Sequence, residues 1–296
     1  MIAFPGGFCY AGSMTYSDKT LYISDLDGTL LNQSAELTLY TKTALNRMIE
    51  DGLRFTIATA RTPATANIIL EGVRWDLPLV LLNGVVILDN ISKRYKQVLS
   101  ICADAVAAII DVLALLNVTG IMYQFTDSGQ YQYYESLDHT PIRNFVESRI
   151  TRYNKVFHKT DSFKSIAPEN ITYFTLIDSY DKIMPVYDAL LPIAGICRSI
   201  YKDNYSPDLW YLEIHSENAS KKNALIYLRD MYGFERIIGF GDNLNDLPMF
   251  EACDVRVAVE NAFPEVKAAS DLICGSNTDD GVVKWLEEYG VCEDAK

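Results

Sequence analysis

The sequence predicts an α/β fold in which a doubly wound, mostly parallel sheet carries an inserted α+β domain. Three observations predict it. Near both ends of the chain, short apolar runs alternate with segments in which apolar residues have helical spacing, and polar motifs directly follow the apolar runs. In the middle third the spacing of apolar residues is different. We expect residues 20–86 and 209–296 to form the core and residues 87–208 to form the insertion. Residues 1–19 are predicted to be an N-terminal extension outside the fold, because the first strand needs only the residues from about Leu21.

The first half of the core alternates strands and helices. The apolar run 21–23 ends directly before two aspartates and predicts a short buried strand. The stretch 34–51 has apolar residues at near-helical spacing and a glycine after it, which predicts a helix and its end. Strands are then predicted at 53–58 and 79–82, the latter a continuous apolar run typical of strands covered on both faces.

The middle third is rich in tyrosine and irregular in rhythm, which favours an inserted domain over a continuation of the first sheet. Alternating stretches predict strands with one open face, at 120–125, 130–135 and 171–177. Helical runs lie at 103–116 and 181–191. Arg143, Arg149 and Arg152 lie near helical spacing and are interpreted as a solvated face, and the strand tyrosines as sheet packing in preference to a pocket lining.

The parallel pattern returns in the last third. A helix is predicted over 219–232 and a strand over 236–240, which ends at an acidic turn. A shorter strand at 255–258 and helices near Pro264 and Asp280 close the chain. Each polar motif of the core therefore follows a strand or starts a helix, and ligands of open α/β sheets bind beyond the carboxyl ends of the strands.

Composition restricts the possible function classes. The chain has 296 residues, 49% of them hydrophobic and 22% charged, as in an ordinary globular protein. A formal net charge of -13 argues against nucleic acid or an anionic membrane as partner, and no apolar run approaches the roughly 20 residues of a membrane span. Six scattered cysteines predict reduced thiols in the cytoplasm, and three scattered histidines argue against a His-based metal site. We expect a monomer or a weak homo-oligomer.

Asp25 and Asp27 follow the first predicted strand. In an extended chain, residues two apart point the same way, so both carboxylates face the space beyond the strand. Two close anions repel unless a cation or a shared proton intervenes, and Mg²⁺ is a hard cation that prefers oxygen ligands. Taken alone, an Asp-Gly turn with a solvated acidic neighbour explains this stretch equally well.

Further reactive groups follow other predicted elements: the Thr59 hydroxyl, the Lys221 ammonium, and the acidic turn with Asp242, Asn245 and Asp246. Carboxylates, one hydroxyl, one ammonium and no histidine form the inventory of Mg²⁺-assisted phosphoryl transfer. Individually, each group has a structural explanation: a helix cap, an exposed helix start or a turn. Their order and their common position at strand ends favour one shared site.

Over about residues 21–289 these motifs resemble those of haloacid dehalogenase superfamily phosphatases of the Cof type, which carry a large α+β cap (type IIB). The matching segments are Asp-x-Asp-Gly-Thr at 25–29, the Thr motif at 57–61, Asn-Gly at 83–84, the Lys motif at 213–221 and Gly-Asp-x-x-Asn-Asp at 241–246. The resemblance implies a Rossmann-like core and a cap inserted between the second and third motifs.

The resemblance also implies a role for each residue. Asp25 would be the nucleophile that forms an aspartyl-phosphate, and Asp27 the general acid and then the base. Asp27 must then hold a proton at neutral pH, which burial under a closed cap favours. Mg²⁺ would be held by Asp25, the Asp27 carbonyl and Asp242, with Asp246 in support. The phosphoryl group would be held by Thr59, Lys221 and Asn245.

The chain departs from the family pattern at three places. Ala60 replaces the usual glycine of the second motif, for which we expect a small backbone adjustment. Lys222 stands where a glycine usually follows Lys221, which leaves two lysines as candidates, with Lys221 favoured. Glu260 belongs to a Val-Glu pair in place of Met-Gly, and either alters substrate preference or lies on the surface; we favour the surface.

Alternative functions share parts of this site. Phospho-acceptor regulatory modules also combine Asp, Mg²⁺, Thr and Lys on a doubly wound sheet, but the second Asp and the large insertion argue against one. A binding protein without turnover is opposed by the intact motifs, and phosphomutase relatives usually carry a small helical cap. We therefore predict a cytoplasmic Mg²⁺-dependent phosphatase of a small phosphorylated metabolite, with sugar phosphates favoured by resemblance.

Overall fold

The computed structural model describes residues 16–126, 129–203 and 206–290. In these ranges the chain forms a five-stranded sheet, a three-stranded sheet and a six-stranded sheet. Residues 1–15 of the predicted extension lie outside the described ranges, and so do Cys9 and Cys292. No helix in the described ranges has the length and hydrophobicity needed to cross a bilayer.

The described strands are, in chain order, β1 (Thr20–Ser24), β2 (Phe55–Ile57), β3 (Leu79–Leu81), β4 (Val86–Leu88), β5 (Tyr95–Val98), β6 (Ile121–Thr126), β7 (Gly129–Tyr134), β8 (His158–Lys159), β9 (Ile171–Asp178), β10 (Ile196–Lys202), β11 (Trp210–Ser216), β12 (Arg236–Gly241), β13 (Val255–Val259) and β14 (Leu272–Cys274). The described α-helices are α1 (Leu39–Glu50), α2 (Pro63–Ile69), α3 (Ala103–Leu115), α4 (Thr140–Tyr153), α5 (Tyr180–Ala189), α6 (Lys221–Tyr232), α7 (Leu247–Phe250), α8 (Pro264–Ala268) and α9 (Gly281–Tyr289).

The core sheet has the order β14-β13-β12-β1-β2, and its neighbouring strands are all parallel. β3 continues this sheet through a single parallel bridge between Ala58 and Val80, and it pairs with β4 in antiparallel direction. The predicted α/β core is thereby confirmed. Because β1 and β12 are adjacent and parallel, their carboxyl ends lie side by side at one edge of the sheet.

The insertion contains the sheet β10-β11-β9-β6-β7-β8, which is antiparallel except between β7 and β8. The expectation of one open face was wrong for β6 and β9, which are almost entirely buried. Met122 and Phe174 pack in one hydrophobic cluster with residues of α3 and α5. Their neighbours Tyr123 and Tyr173 point the other way and join the cluster of the core and α4. Both faces are therefore covered.

Two strands pair across the borders that the sequence predicts for the insertion. β11 pairs with β9 and β10, so the insertion sheet continues to Ser216, beyond the border expected at 208. β4 crosses the border expected at 86 and pairs with both β3 and β5. We therefore propose that the insertion runs from the end of β5 to Ser216.

Side-chain caps set the starts of α1 and α6. α1 begins at Leu39, later than the predicted 34, because the Thr38 hydroxyl accepts a hydrogen bond from the Thr41 amide. α6 begins at Lys221 because the Ser220 hydroxyl accepts from the Asn223 amide. The second cap fixes the orientation of the first turn of α6, which carries Lys221 toward the ends of β1 and β12.

Candidate active site

Three carboxylates meet at the ends of β1 and β12. Asp25 follows β1 directly, and its amide donates to the Phe240 carbonyl of β12 at 2.9 Å. Asp242 follows β12, and Asp246 ends the short turn after it. Ligand atoms of Asp25, Asp242 and Asp246 lie within 4.8 Å of one another, and all three side chains are buried. The structure thus brings together three of the acidic residues predicted from the sequence.

Lys221 is the cation of this cluster. Its ammonium lies 2.6 Å from Asp25 Oδ1 and 2.6 Å from Asp246 Oδ1, and its side chain is buried. Lys222 is half-buried and pairs with Glu251 at 2.7 Å instead. Lys221 is therefore the lysine at the site. Burial acts to lower the pKa of Lys221, but the carboxylates, Asp246 first, outweigh it, and the net pKa is raised.

The cluster holds more negative than positive charge. Burial, together with the charges of Asp246 and Asp27, raises the pKa of Asp25 to about 7 although Lys221 acts in the opposite direction. Burial and the neighbouring carboxylates also raise the pKa of Asp242 well above its usual range. Three buried carboxylates beside one ammonium fit a hard divalent cation, which would offset this repulsion, and the donor set of oxygens suits Mg²⁺.

Hydrogen bonds fix the orientation of the acidic side chains. Thr29 Oγ1 donates to Asp242 Oδ1 at 2.8 Å, and Thr29 is buried in the tight turn after β1. Asp246 Oδ2 accepts from the amides of Asp242 at 3.0 Å and Asn243 at 3.1 Å. One carboxylate oxygen on each of these two aspartates is thereby held in place by hydrogen-bond donors.

Asp27 lies outside the three-carboxylate cluster and faces Arg61. The guanidinium donates from Nε and Nη2 to the two carboxylate oxygens of Asp27, each at 2.6 Å, and from Nη1 to the Tyr153 hydroxyl at 3.0 Å. The two hydrogen bonds form a bidentate contact of the kind that arginine makes with a carboxylate. Arg61 was not predicted as a site residue, although it stands two residues after Thr59 in the second motif.

Thr59 and Asn245 complete the predicted set. Thr59 is buried beyond the end of β2, and its Oγ1 accepts from the Arg61 amide at 3.2 Å. Asn245 lies in the turn between β12 and α7. Both line the same cavity as Asp25 and Asp27. Glu260 is exposed and does not line this cavity, which agrees with the surface interpretation.

The cavity has a volume of about 540 Å³ and lies between the core and the insertion. Tyr173 and Glu213 line the cavity and share a buried network with Asn83. Asn83 Nδ2 donates to Glu213 at 2.7 Å and to the Tyr173 hydroxyl at 2.9 Å, and that hydroxyl donates to Glu213 at 2.5 Å. Burial raises the pKa of Glu213 to about 7. The expectation that the strand tyrosines only pack the sheet is therefore incomplete, since Tyr123 and Tyr173 also line the cavity.

The arginines of α4 also differ from the prediction of a solvated face. Arg149 and Arg152 line the cavity, whereas Arg143 does not. Arg152 additionally donates to the Ser34 carbonyl of the core at 2.7 Å. The sequence shows their helical spacing but not which neighbour covers that face of the helix.

A parallel α/β core with this acidic site and an inserted domain is the arrangement of a haloacid dehalogenase-like phosphatase. The chain belongs to the haloacid dehalogenase-like hydrolase family, whose model matches residues 22–286. It is 28% identical over 286 residues to the 5-amino-6-(5-phospho-D-ribitylamino)uracil phosphatase YwtE of Bacillus subtilis, covering 89% of this chain and 96% of that protein.

Two further relatives agree with this membership. The pyridoxal phosphate phosphatase YbhA of Escherichia coli is 23% identical over 271 residues, covering 90% of this chain and 96% of the relative. The structure of the HAD subclass IIB sugar phosphatase BT4131 superposes with a TM-score of 0.71 at 19% identity, covering 92% of this chain and 99% of that one. The predicted family and cap type are thereby confirmed.

Proposed function

We propose that this protein is a Mg²⁺-dependent phosphatase of small sugar phosphates that works through an aspartyl-phosphate on Asp25. The observation that carries the proposal is the convergence of Asp242, Asp246 and Lys221 on Asp25, which lines a cavity together with Asp27. The cytoplasmic location stays a prediction from the cysteines, of which the four in the described ranges are unpaired.

Asp25, Asp242 and Asp246 are the residues that would hold Mg²⁺. When bound, the ion supplies positive charge next to the phosphoryl oxygens and to the nucleophile. Lys221 adds a second positive charge at Asp25. A carboxylate and a phosphate dianion repel each other, so both charges are needed before attack can occur.

The reaction proceeds in two displacements. In the first, Asp25 attacks phosphorus, the bond from phosphorus to the ester oxygen breaks, and the leaving alcohol takes a proton from Asp27. In the second, Asp27 takes a proton from water, which attacks phosphorus and releases inorganic phosphate from Asp25. Thr59 and Asn245 line the cavity beside Asp25 and would hold the phosphoryl oxygens in both steps.

Asp27 must hold a proton when the first step begins. In the structure its carboxylate is bound by Arg61, which is joined to Tyr153 of α4. Substrate binding must therefore loosen the contact between Arg61 and Asp27, so that the carboxyl can hold a proton and reach the leaving oxygen. Because Tyr153 belongs to the insertion, movement of the insertion over the core would achieve both changes together.

The preference for sugar phosphates rests on the likeness to the sugar phosphatase BT4131 and on the polar lining of the cavity. Hydroxyls of a sugar would find partners among the carboxyl, amide and phenol groups of the cavity wall, including Asn144, Tyr173 and Glu213. YwtE and YbhA are phosphatases of a phosphorylated ribityl compound and of pyridoxal phosphate, so both kinds of ester belong in the test of substrates.

The test is phosphate release from a panel of sugar phosphates, pyridoxal phosphate and a phosphorylated ribityl compound, with and without Mg²⁺. We expect Mg²⁺-dependent hydrolysis, with the highest kcat/KM for a sugar phosphate. Asp25→Asn abolishes turnover, whereas Asp188→Asn, an identical change at an exposed position of α5, leaves it unchanged. Substantial turnover by purified Asp25→Asn protein would refute the role of Asp25.

A further inference from the structure

Lys155 is a buried cation in the insertion. It follows α4, whose last turn is closed by Asn154 in the left-handed conformation, with φ 49° and ψ 35°. This turn directs the chain back toward the sheet, and Lys155 is only 6% exposed. It lines the same cavity as Asp25 and Asp27.

The Lys155 ammonium has no anionic partner in the described part of the chain. Its contacts there are with rings: Nζ lies 5.6 Å from the centre of the Tyr123 ring and 5.7 Å from that of Phe157. Every other buried carboxylate, lysine or histidine of the described residues has a polar partner; Lys221, for example, has two carboxylates. Burial of a cation without a nearby anion lowers the stability of the folded state. The chain has 39 acidic residues, yet none of those in the described ranges lies beside Lys155.

A second cation lies near Lys155. Arg149 of α4 lines the same cavity, and its guanidinium lies 4.3 Å above the centre of the Phe145 ring, without a carboxylate partner among the described residues. Burial lowers the pKa of Lys155 to about 7, and the charge of Arg149 acts in the same direction. An anion placed beside Lys155 would oppose both effects and favour the charged ammonium.

The core and the insertion contribute different groups to the cavity. The core contributes Asp25 and the residues that would hold the phosphoryl oxygens, Thr59 and Asn245. The insertion contributes Lys155 and Arg149, neither of which has a carboxylate partner among the described residues. We propose that Lys155, with Arg149, binds a second anionic group of the substrate, a carboxylate or a phosphate, at the end remote from the scissile ester. This inference rests on the proposed function and specifies its substrate class: phosphate esters that carry a further negative charge.

Two matched pairs of esters test the proposal. In the first pair, 6-phosphogluconate carries a terminal carboxylate where sorbitol 6-phosphate carries a neutral hydroxymethyl group. In the second, fructose 1,6-bisphosphate carries a phosphate that fructose 6-phosphate lacks. We expect the wild type to favour the more anionic member of at least one pair by about 10- to 100-fold in kcat/KM, mainly through KM. The preferred pair identifies the anion.

Variants separate the charge from packing. Lys155→Met keeps the length and the apolar stem, and we expect it to remove the preference while the neutral esters react as before. Lys155→Arg keeps the charge and retains most of the preference. Lys159→Met, which removes an exposed cation of β8, is the matched control and leaves the ratio unchanged. An equal loss for both members of each pair in Lys155→Met would overturn the subsite.

Binding to Asp25→Asn protein, measured by calorimetry with the same four esters, separates this inference from the proposed function. Tighter binding of the anionic members, lost in the double variant with Lys155→Met, supports the subsite even if turnover fails. Equal binding of both members in both pairs overturns it even if every ester is hydrolysed. Failure of all four esters to react overturns the proposed function alone.

Discussion

Gly84 offers the sharpest test of how the fold positions Lys221. It has φ +96°, a conformation that side-chain-bearing residues rarely adopt, and it lies against the start of α6. A Cβ at this position would be 2.2 Å from the Ser220 carbonyl oxygen and 2.5 Å from the Ser220 carbonyl carbon. Ser220 caps α6 and immediately precedes Lys221, so Gly84→Ala must displace the backbone that carries the active-site ammonium.

Gly52→Ala is a matched control. Gly52 has φ +101° but no atom within 4 Å of the position of a Cβ, so alanine there costs only the backbone term of about 1–2 kcal/mol. Gly84→Ala has the same backbone cost, and overpacking against Ser220 adds about 1–3 kcal/mol. Together they lower the free energy of unfolding by about 2–5 kcal/mol. Relief of the clash requires a shift of about 1 Å, and a misplacement of that size costs on the order of 100-fold in rate.

Urea unfolding and phosphate release, both at a temperature where each variant stays folded, measure the two effects. We expect Gly84→Ala to lose more stability than Gly52→Ala and to lose about 100-fold in kcat/KM, while Gly52→Ala keeps its activity. Equal stability and equal activity of the two variants would refute the reasoning, because the contact with Ser220 would then have no consequence.

Three further predictions concern single side chains. Lys221→Met lowers kcat/KM by at least about 100-fold in a phosphate-release assay, because it removes the buried cation next to the nucleophile. Lys222→Met keeps kcat/KM near the wild-type value. Similar losses in both variants would contradict the assignment of Lys221 as the active-site lysine. Thr29→Val removes the hydrogen bond to Asp242 and raises the Mg²⁺ concentration for half-maximal activity by about 10-fold or more. The same Mg²⁺ concentration for half-maximal activity in variant and wild type would count against Asp242 as a metal ligand. Burial lowers the pKa of His215 to about 4, so as pH falls from about 6.5 the unfolded chain takes up a proton that the folded chain does not. The free energy of unfolding therefore falls by about 2–3 kcal/mol by pH 4.5. We expect His215→Gln to reduce this pH dependence in urea unfolding at pH 7 and pH 4.5, and an equal pH dependence in both proteins would exclude the contribution of His215.

Local sequence predicts the acidic site well because its residues are fixed by strand ends. Asp25 and Asp242 each follow a strand directly, and a parallel sheet brings neighbouring carboxyl ends together. The choice between Lys221 and Lys222 could also have been made from the sequence. Lys221 shares the helical spacing of the buried Ala224, Leu225 and Leu228, whereas Lys222 lies about 100° away around the helix.

The cavity wall contributed by the insertion could not be predicted in the same way. The contact between Arg61 and Asp27 joins residues 34 positions apart, and the one between Arg61 and Tyr153 spans 92 positions. The burial of Lys155 depends on how α4 packs over the core, which no local pattern encodes. The same long-range packing covers the second face of β6 and β9, where alternation predicted exposure.

The central claim is that Asp25 forms a covalent intermediate with the help of Mg²⁺. Its most direct test is an acid quench within the first turnover of an ester with a radiolabelled phosphoryl group, followed by digestion and location of the label. The account predicts label on the peptide that contains Asp25, formed before free phosphate and only with Mg²⁺ present. Release of labelled phosphate with no labelled protein at any time, or label on another peptide, would contradict it.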